Sequence, residues 1–420
     1  MKKQLSVVIL FFLPAFGFSQ NIDYARKIID TLTTPYFGGR GAADLGEKKA
    51  ADFLKNEFKR NHLQAFNDTF FQHFRYNINT FPKEVSVSID GEKLVAGVDC
   101  LVEPYSSSVG GEFQLVWYNK KNIPSKKEFK KLVAMNFFQD KFIVIDDKEV
   151  DKNNEEFYKI KINSVGAAGI INLEDKKLTH YLSQTYNDYG ALRIMREKIT
   201  RKNRTIKVEI DQEFKRNLLS QNVIGYIKGE QYPDSFIIVS AHYDHLGKMG
   251  ETVYFPGAND NASGVAMLLS LAYHYVHKEV PKKSIVFMLF GAEEVGILGS
   301  KHYVENPLFP LENVNFVMNL DLLGTGSEGA TVVNATEFPY HFNKLDSINA
   351  INNYLPVIKK RGKAANSDHY WFTEKGIPSF FLYTMGGITA YHDVEDISKT
   401  LPLTKFEDCF RLLRDFIDEL

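Results

Sequence analysis

Cysteine is nearly absent: Cys100 and Cys409 are the two among 420 residues. That count excludes a disulfide-built scaffold, while one bridge in an oxidising compartment and two unpaired buried thiols both stay open. Neither charge dominates, with 51 Lys and Arg against 52 Asp and Glu and a formal net charge of −1. Such balance gives no general electrostatic case for nucleic acid or an anionic membrane as a partner. The lysines at 120, 121, 126, 127, 130 and 131 are interleaved with apolar and acidic residues and read as a solvated helix face. Beyond the first twenty residues no apolar run approaches the length of a membrane-spanning helix, so no membrane anchor is expected. Internal repeats and low-complexity tracts are missing, which sets aside solenoids and propellers. The metalloprotease helix motif H-E-x-x-H is missing too.

What is present begins with a leader. Lys2 and Lys3 precede "LSVVILFFLPAFGF", which Pro14 breaks and which is too short for a comfortable span. Gly17 and Ser19 stand at signal-peptidase spacing, so residues 1–19 read as a signal peptide removed near Ser19–Gln20, and the product as exported to the periplasm or outside the cell. With no cysteine near that point, no lipid anchor is expected.

In residues 46–60, Ala50, Phe53, Leu54 and Phe58 form an apolar stripe at helical spacing. Helical patterns fill residues 22–65, and the chain then alternates like a strand to about residue 79. Short β-like runs separated by charged loops follow to about residue 215. From Asn222 onward apolar strands alternate with helical patterns, which argues for α/β layers. The expected architecture is α/β: a mixed, mainly parallel central sheet flanked by helices, built from residues 20–79 and 216–420, with a β-rich domain inserted at 80–215.

The residues just past the buried-strand candidates carry the chemistry. "FIIVSA" leads to His242 and Asp244, "SIVFMLFGA" to Glu293 and Glu294, "NFVMNL" to Asp321, and "PSFFLYTM", after a glycine loop, to His392. Asp260 lies in "GANDNASG", just before the helical run "VAMLLSLAYHYV", where a helix dipole favours a carboxylate. Loops at the carboxyl ends of parallel strands converge on one crevice. Two imidazoles and several carboxylates there form a donor set for a borderline metal such as zinc, with carboxylates available to bridge two ions. Positive ions would also relieve the repulsion between the adjacent Glu293 and Glu294, one binding metal and its neighbour serving as general base. Asp244 is placed to accept the free N–H of His242 and fix its tautomer.

Together, "HYDHLG", "GANDNASG", "GAEEVGILGS", "NLDLLG", "SDHYWFTEKGIPSFF" and "YHDVED" resemble the zinc-dependent aminopeptidases with a co-catalytic metal pair. That family also includes glutamate carboxypeptidases and glutaminyl cyclases. The resemblance covers residues 222–400 and extends to the amino-terminal "FGGRGAADLGEKKAADFL". It implies two zinc ions per chain held by His242, Asp260, Glu294, Asp321 and His392, with Asp260 bridging and Glu293 as general base. It implies a cis peptide bond after Asp260, and it makes the insert similar to a protease-associated domain. Two departures stand out. The family's His-Thr-Pro-x-Asp-Thr is here His392-Asp393-Val394-Glu395-Asp396-Ile397, and Ala364 and Ala365 replace a tyrosine that some relatives carry; Tyr383 and Tyr391 read first as core or loop packing and second as substitutes for it.

The implied activity is that of a secreted exopeptidase removing N-terminal residues from peptides with a free amine. The alternatives are a single-zinc glutaminyl cyclase, a carboxypeptidase or dipeptidase on the same machinery, and a peptide-binding module without catalysis. Other patterns read as decoys. "GTGSEG", Gly324–Gly329, matches G-x-G-x-x-G but precedes a β-like run. His274 and His277 lie three apart on a helix without acidic partners. Asp368 reads equally as a helix cap and as support for the metal ligands.

Overall fold

The computed structural model describes residues 22–66, 68–277 and 280–420. The expected leader lies outside these residues. Two eight-stranded sheets divide the chain. The first takes its strands from Phe71–Thr80 and from Glu213 onward, and its order is Phe71–Thr80, Glu213–Ile227, Lys283–Phe290, Tyr232–His242, Val314–Leu320, Ser379–Thr384, Ala330–Val333, Ile358–Lys360. The four central strands are parallel, and antiparallel pairs join them to both flanks. This is the mixed, mainly parallel α/β sheet expected.

Its central strands are continuous apolar runs because both faces are covered. One face packs against the helices Ile22–Leu32, Gly46–Arg60, Gly264–His277 and Phe406–Asp418. Helix Gly264–His277 is apolar on most of its surface, and Gly264 to Ala272 are all buried beneath its neighbours. Helix Phe406–Asp418 is amphipathic, with Phe406, Cys409, Phe410, Leu413 and Ile417 turned inward at three- and four-residue spacing. The opposite face is closed by Tyr303, Phe309 and Phe372.

The second sheet lies wholly between residues 85 and 210, with the two helices Lys126–Ala134 and Glu155–Lys161 beside it. Leu246, Met249 and Phe255, from the loop after strand Tyr232–His242, pack into its core, so the two units share an apolar seam. Cys100 and Cys409 are buried in different cores and unpaired. No helix among the described residues is long and apolar enough to cross a membrane.

Strand order places the site. Strand Tyr232–His242 lies between Lys283–Phe290 on one side and Val314–Leu320 on the other, so the two strands that follow it in this sheet lie on opposite sides of it. At such a reversal the loops beyond the carboxyl ends splay apart and leave a crevice.

Candidate metal centre

Four parallel strands and one turn deliver the candidate ligands to this crevice. His242 is the last residue of its strand; Glu293 and Glu294 follow Phe290 through Ala292, whose φ is 54°; Asp321 follows Leu320; His392 ends the loop after Thr384. Asp260 lies in the turn Ala258–Ser263, and its peptide bond to Asn261 is cis. The polar residues of that turn stitch it to the loop bearing Asp321. Asn261 Nδ2 donates to Leu320 O, and the N–H groups of Leu323 and Gly324 donate to Ser263 Oγ and Asn259 Oδ1. Gly257 opens the turn at φ 62°, where an added Cβ would sit 2.1 Å from Asp260 O.

The two oxygens of Asp260 face different partners. Its Oδ1 is 3.2 Å from His242 Nε2, which is itself 3.4 Å from Asp321 Oδ1. Its Oδ2 is 3.1 Å from His392 Nε2, which is 3.3 Å from Glu294 Oε2. Two histidine–carboxylate pairs therefore meet across one shared carboxylate. A third imidazole, His245, also converges with Asp260 and Glu294. Its Nδ1 is 2.7 Å from Glu294 Oε1 but 4.0 Å from Asp260 Oδ1, so His392 makes the closer approach to the shared group while His245 orients Glu294. Sequence reasoning passed over His245, although "HYDHLG" displays it three residues after His242.

Charge decides whether metal fits. Ion pairs to Asp260, Glu294 and Asp321 come from imidazoles, and Asp321 Oδ1 is buried without a hydrogen bond. Burial opposes charge on His242, yet Asp321 and Glu293 outweigh it and raise that imidazole well above its ordinary range. For His392 burial again opposes charge, and Glu294 and Asp260 push it up to about 11. Burial would lift Glu294 as well, but His392 and His245 hold it at about 2. Burial lowers His245 instead, but a centre that favours protons on His242 and His392 is short of positive charge, which bound cations supply as those protons leave. Nitrogen and oxygen donors in this mixture fit zinc.

Backbone contacts hold the candidate ligands in place. Arg40, fully buried in the amino-terminal "FGGRG", donates to the carbonyl oxygens of Leu32, Tyr243, Pro256, Gly257 and Asp260 and so ties together two ligand-bearing loops. Beside it Gly39, at φ 65°, packs so tightly that an added Cβ would lie 2.4 Å from Gly247 O. Asp396 accepts the N–H groups of Asn259 and Asp260 at 2.8 and 2.9 Å. It stands four residues after His392, where the family's pattern also has Asp.

Asp244 requires a correction. His242 Nδ1 is 3.2 Å from the backbone oxygen of Asp244, while the Asp244 carboxylate is 3.8 Å away. That carboxylate instead accepts the N–H groups of Glu293 and Glu294. The Asp244 carbonyl faces back toward the His242 ring while its side chain reaches the loop after Phe290. Asp244 thus fixes the path of the glutamate pair. Burial, reinforced by Asp368, Glu294 and Asp321 against the pull of His242, raises Glu293 well above the usual carboxylate range.

The remaining candidates separate. Ser300 Oγ donates to Asp368, which makes no side-chain cap bond to its helix. Tyr391 stacks on His392 at 3.9 Å, whereas the Tyr383 hydroxyl accepts from Arg361. The loop Gly324–Gly329 runs into strand Ala330–Val333, with no helix to receive a phosphate. His277 stacks on Tyr273, and its Nδ1 lies 2.9 Å from Tyr273 O within the same helix.

An α/β sheet with a histidine–carboxylate centre at its point of reversal defines the zinc-peptidase type of architecture. Residues 222–417 match the family model of Peptidase family M28. Aminopeptidase YwaD of Bacillus subtilis strain 168 is 38% identical over 181 residues, 39% of this chain and 35% of that protein. A probable zinc metalloprotease of Pyricularia oryzae is 38% identical over 112 residues, 26% of this chain and 22% of that one. The aligned stretches thus span about a third or less of these relatives' own length. Among solved structures, the zinc aminopeptidase BSAP of Bacillus subtilis shares the fold with a TM-score of 0.70 at 23% identity, covering 94% of each chain. The peptidase M28 precursor of Shewanella amazonensis SB2B matches with a TM-score of 0.70 at 18% identity, covering 95% of this chain and 93% of that one.

Proposed function

We propose that the protein is an exported aminopeptidase that uses two zinc ions to release N-terminal residues from peptides with a free amine. The observation that carries this reading is the division of Asp260 between two histidine–carboxylate pairs. In it, His242, Asp321 and Asp260 would hold one ion, and His392, Glu294 and Asp260 would hold the other. Zinc supplies Lewis acidity at the scissile carbonyl and at the attacking water. Glu293 takes the water's proton and passes it to the leaving amine. Asp244 keeps Glu293 and Glu294 on their separate tasks by gripping both backbone N–H groups. The insert at 80–215 acts as a protease-associated domain framing access to the crevice, and export rests on the leader pattern of residues 1–19.

The test compares each peptide with its N-acetylated form in the presence of zinc. Release of the first residue from the free peptide alone supports the proposal. Equal cleavage of both forms contradicts it, as does ammonia release from N-terminal glutamine without peptide hydrolysis.

A further inference from the structure

The two imidazoles at the ends of the candidate centre are held by different parts of the chain. His242 Nδ1 finds its acceptor within its own loop, at Asp244 O. His392 Nδ1 finds its acceptor in the inserted unit, 3.1 Å away at His180 O, and the N–H of His180 donates back to His392 O at 2.7 Å. His180 belongs to a stretch without regular secondary structure that crosses the crevice between strands Gly169–Glu174 and Gly190–Met195. Both ends of this strap are tied to loops that carry candidate ligands. Lys177 Nζ donates to Thr389 O at 2.7 Å and pairs with Asp393 at 2.5 Å, on either side of His392. Gln184 Nε2 donates to Val295 O at 2.9 Å, next to the glutamate pair. Between the ties, the His180 ring stacks on Phe255 at 4.7 Å, and Tyr181 sets its edge against His392 at 5.4 Å while staying 46% exposed. Within the insert the strap is braced by Arg193, which donates to Thr179 O and pairs with Glu103.

We infer that the strap Lys177–Gln184 is a positioning element for one metal position only, the one formed by His392, Glu294 and Asp260 Oδ2. This inference rests on the two-zinc reading above. An acceptor on the far ring nitrogen sets the tautomer and aims the near nitrogen at the metal, and loss of such support typically lowers metal affinity about 10–100-fold. At the other position, His242 Nδ1 is held by Asp244 O and Asp321 Oδ2 by Ser367 Oγ, both outside the insert, so that position keeps its affinity when the strap is loosened.

Calorimetric titration of the metal-stripped full chain with zinc tests this. The wild type is expected to bind in two steps, and His392→Ala identifies the step belonging to the strap-dependent position. Lys177→Ala combined with His180→Ala should weaken that step by roughly tenfold or more and leave the other unchanged. Lys177→Arg, which keeps the ion pair, should restore most of the loss in combination with native His180. Should the buried His180 substitution prevent folding, Lys177→Ala with Gln184→Ala loosens both ties from more exposed positions. A merely structural strap would weaken both steps alike and lower the unfolding temperature of the stripped protein in parallel, and that result overturns the inference. Unchanged affinity at both steps overturns it as well. A wild type that binds a single zinc overturns the two-zinc reading, visibly in the parent protein, and the strap inference with it.

Discussion

Glu293 and Glu294 are chemically identical neighbours whose surroundings divide them. Glu294 lies against His392 and His245, which hold it ionised. Glu293 is raised by burial and by other carboxylates. Glu293→Gln is therefore expected to keep zinc content and lose about 10²–10⁴-fold or more in rate, since only the proton acceptor goes. Glu294→Gln should lower zinc content, and metal analysis beside kcat separates the two. The reverse pattern would exchange their roles. At this scale the sequence displayed the residues that follow apolar runs, because a strand end in an α/β sheet is a readable place. It did not display residues that act through the fold. Asp396 caps the N–H of Asp260 from 136 positions away, His180 O meets His392 from 212 positions away, and Asp244 turned its side chain to a loop 49 positions on. Spacing along a chain holds no trace of such distances.

Two amino-terminal features are set by elements. Arg40 joins the turn Pro35–Arg40 to the loops after Tyr243 and before Asp260. Arg40→Ala would leave several buried carbonyl groups without donors and should cost on the order of 4 kcal/mol in urea unfolding. A change within 0.5 kcal/mol, roughly the surface-substitution range, would contradict that role. Glu47, in the first turn of helix Gly46–Arg60, accepts from Tyr76 and Ser220, and burial raises its carboxyl to about 7 from an ordinary 4.5. The folded chain then keeps a proton that the unfolded chain releases. This contribution is full below the lower value and lost as pH rises through the upper one. Glu47→Gln should flatten the fall of unfolding temperature between about pH 4.5 and 7, and an unaltered slope would count against the assignment. The apolar stripe of this helix was legible, with Ala50, Leu54 and Phe58 fully buried. The turns before it were not, because Gly38, Gly39 and Asp44 adopt left-handed conformations that helical periodicity does not encode.

Across the whole molecule, two sheets share a seam and the crevice lies beside it. The alternation of apolar strands and helices from Asn222 onward made the α/β sheet legible. The seam was not, since Leu246, Met249 and Phe255 read as loop residues until the second sheet covers them. Bound zinc should stabilise the whole chain, because ligand that prefers the native state at 100 times its dissociation constant adds about 2.7 kcal/mol. A chelator should accordingly lower the unfolding temperature, and zinc, restored in excess, should recover it. The most direct measurement of the central claim is zinc-edge anomalous scattering from crystals of the zinc-loaded protein. The account predicts two peaks on opposite sides of the Asp260 carboxylate, one beside His242 and Asp321 and the other beside His392 and Glu294. A single peak, or a pair that does not share Asp260, would contradict it.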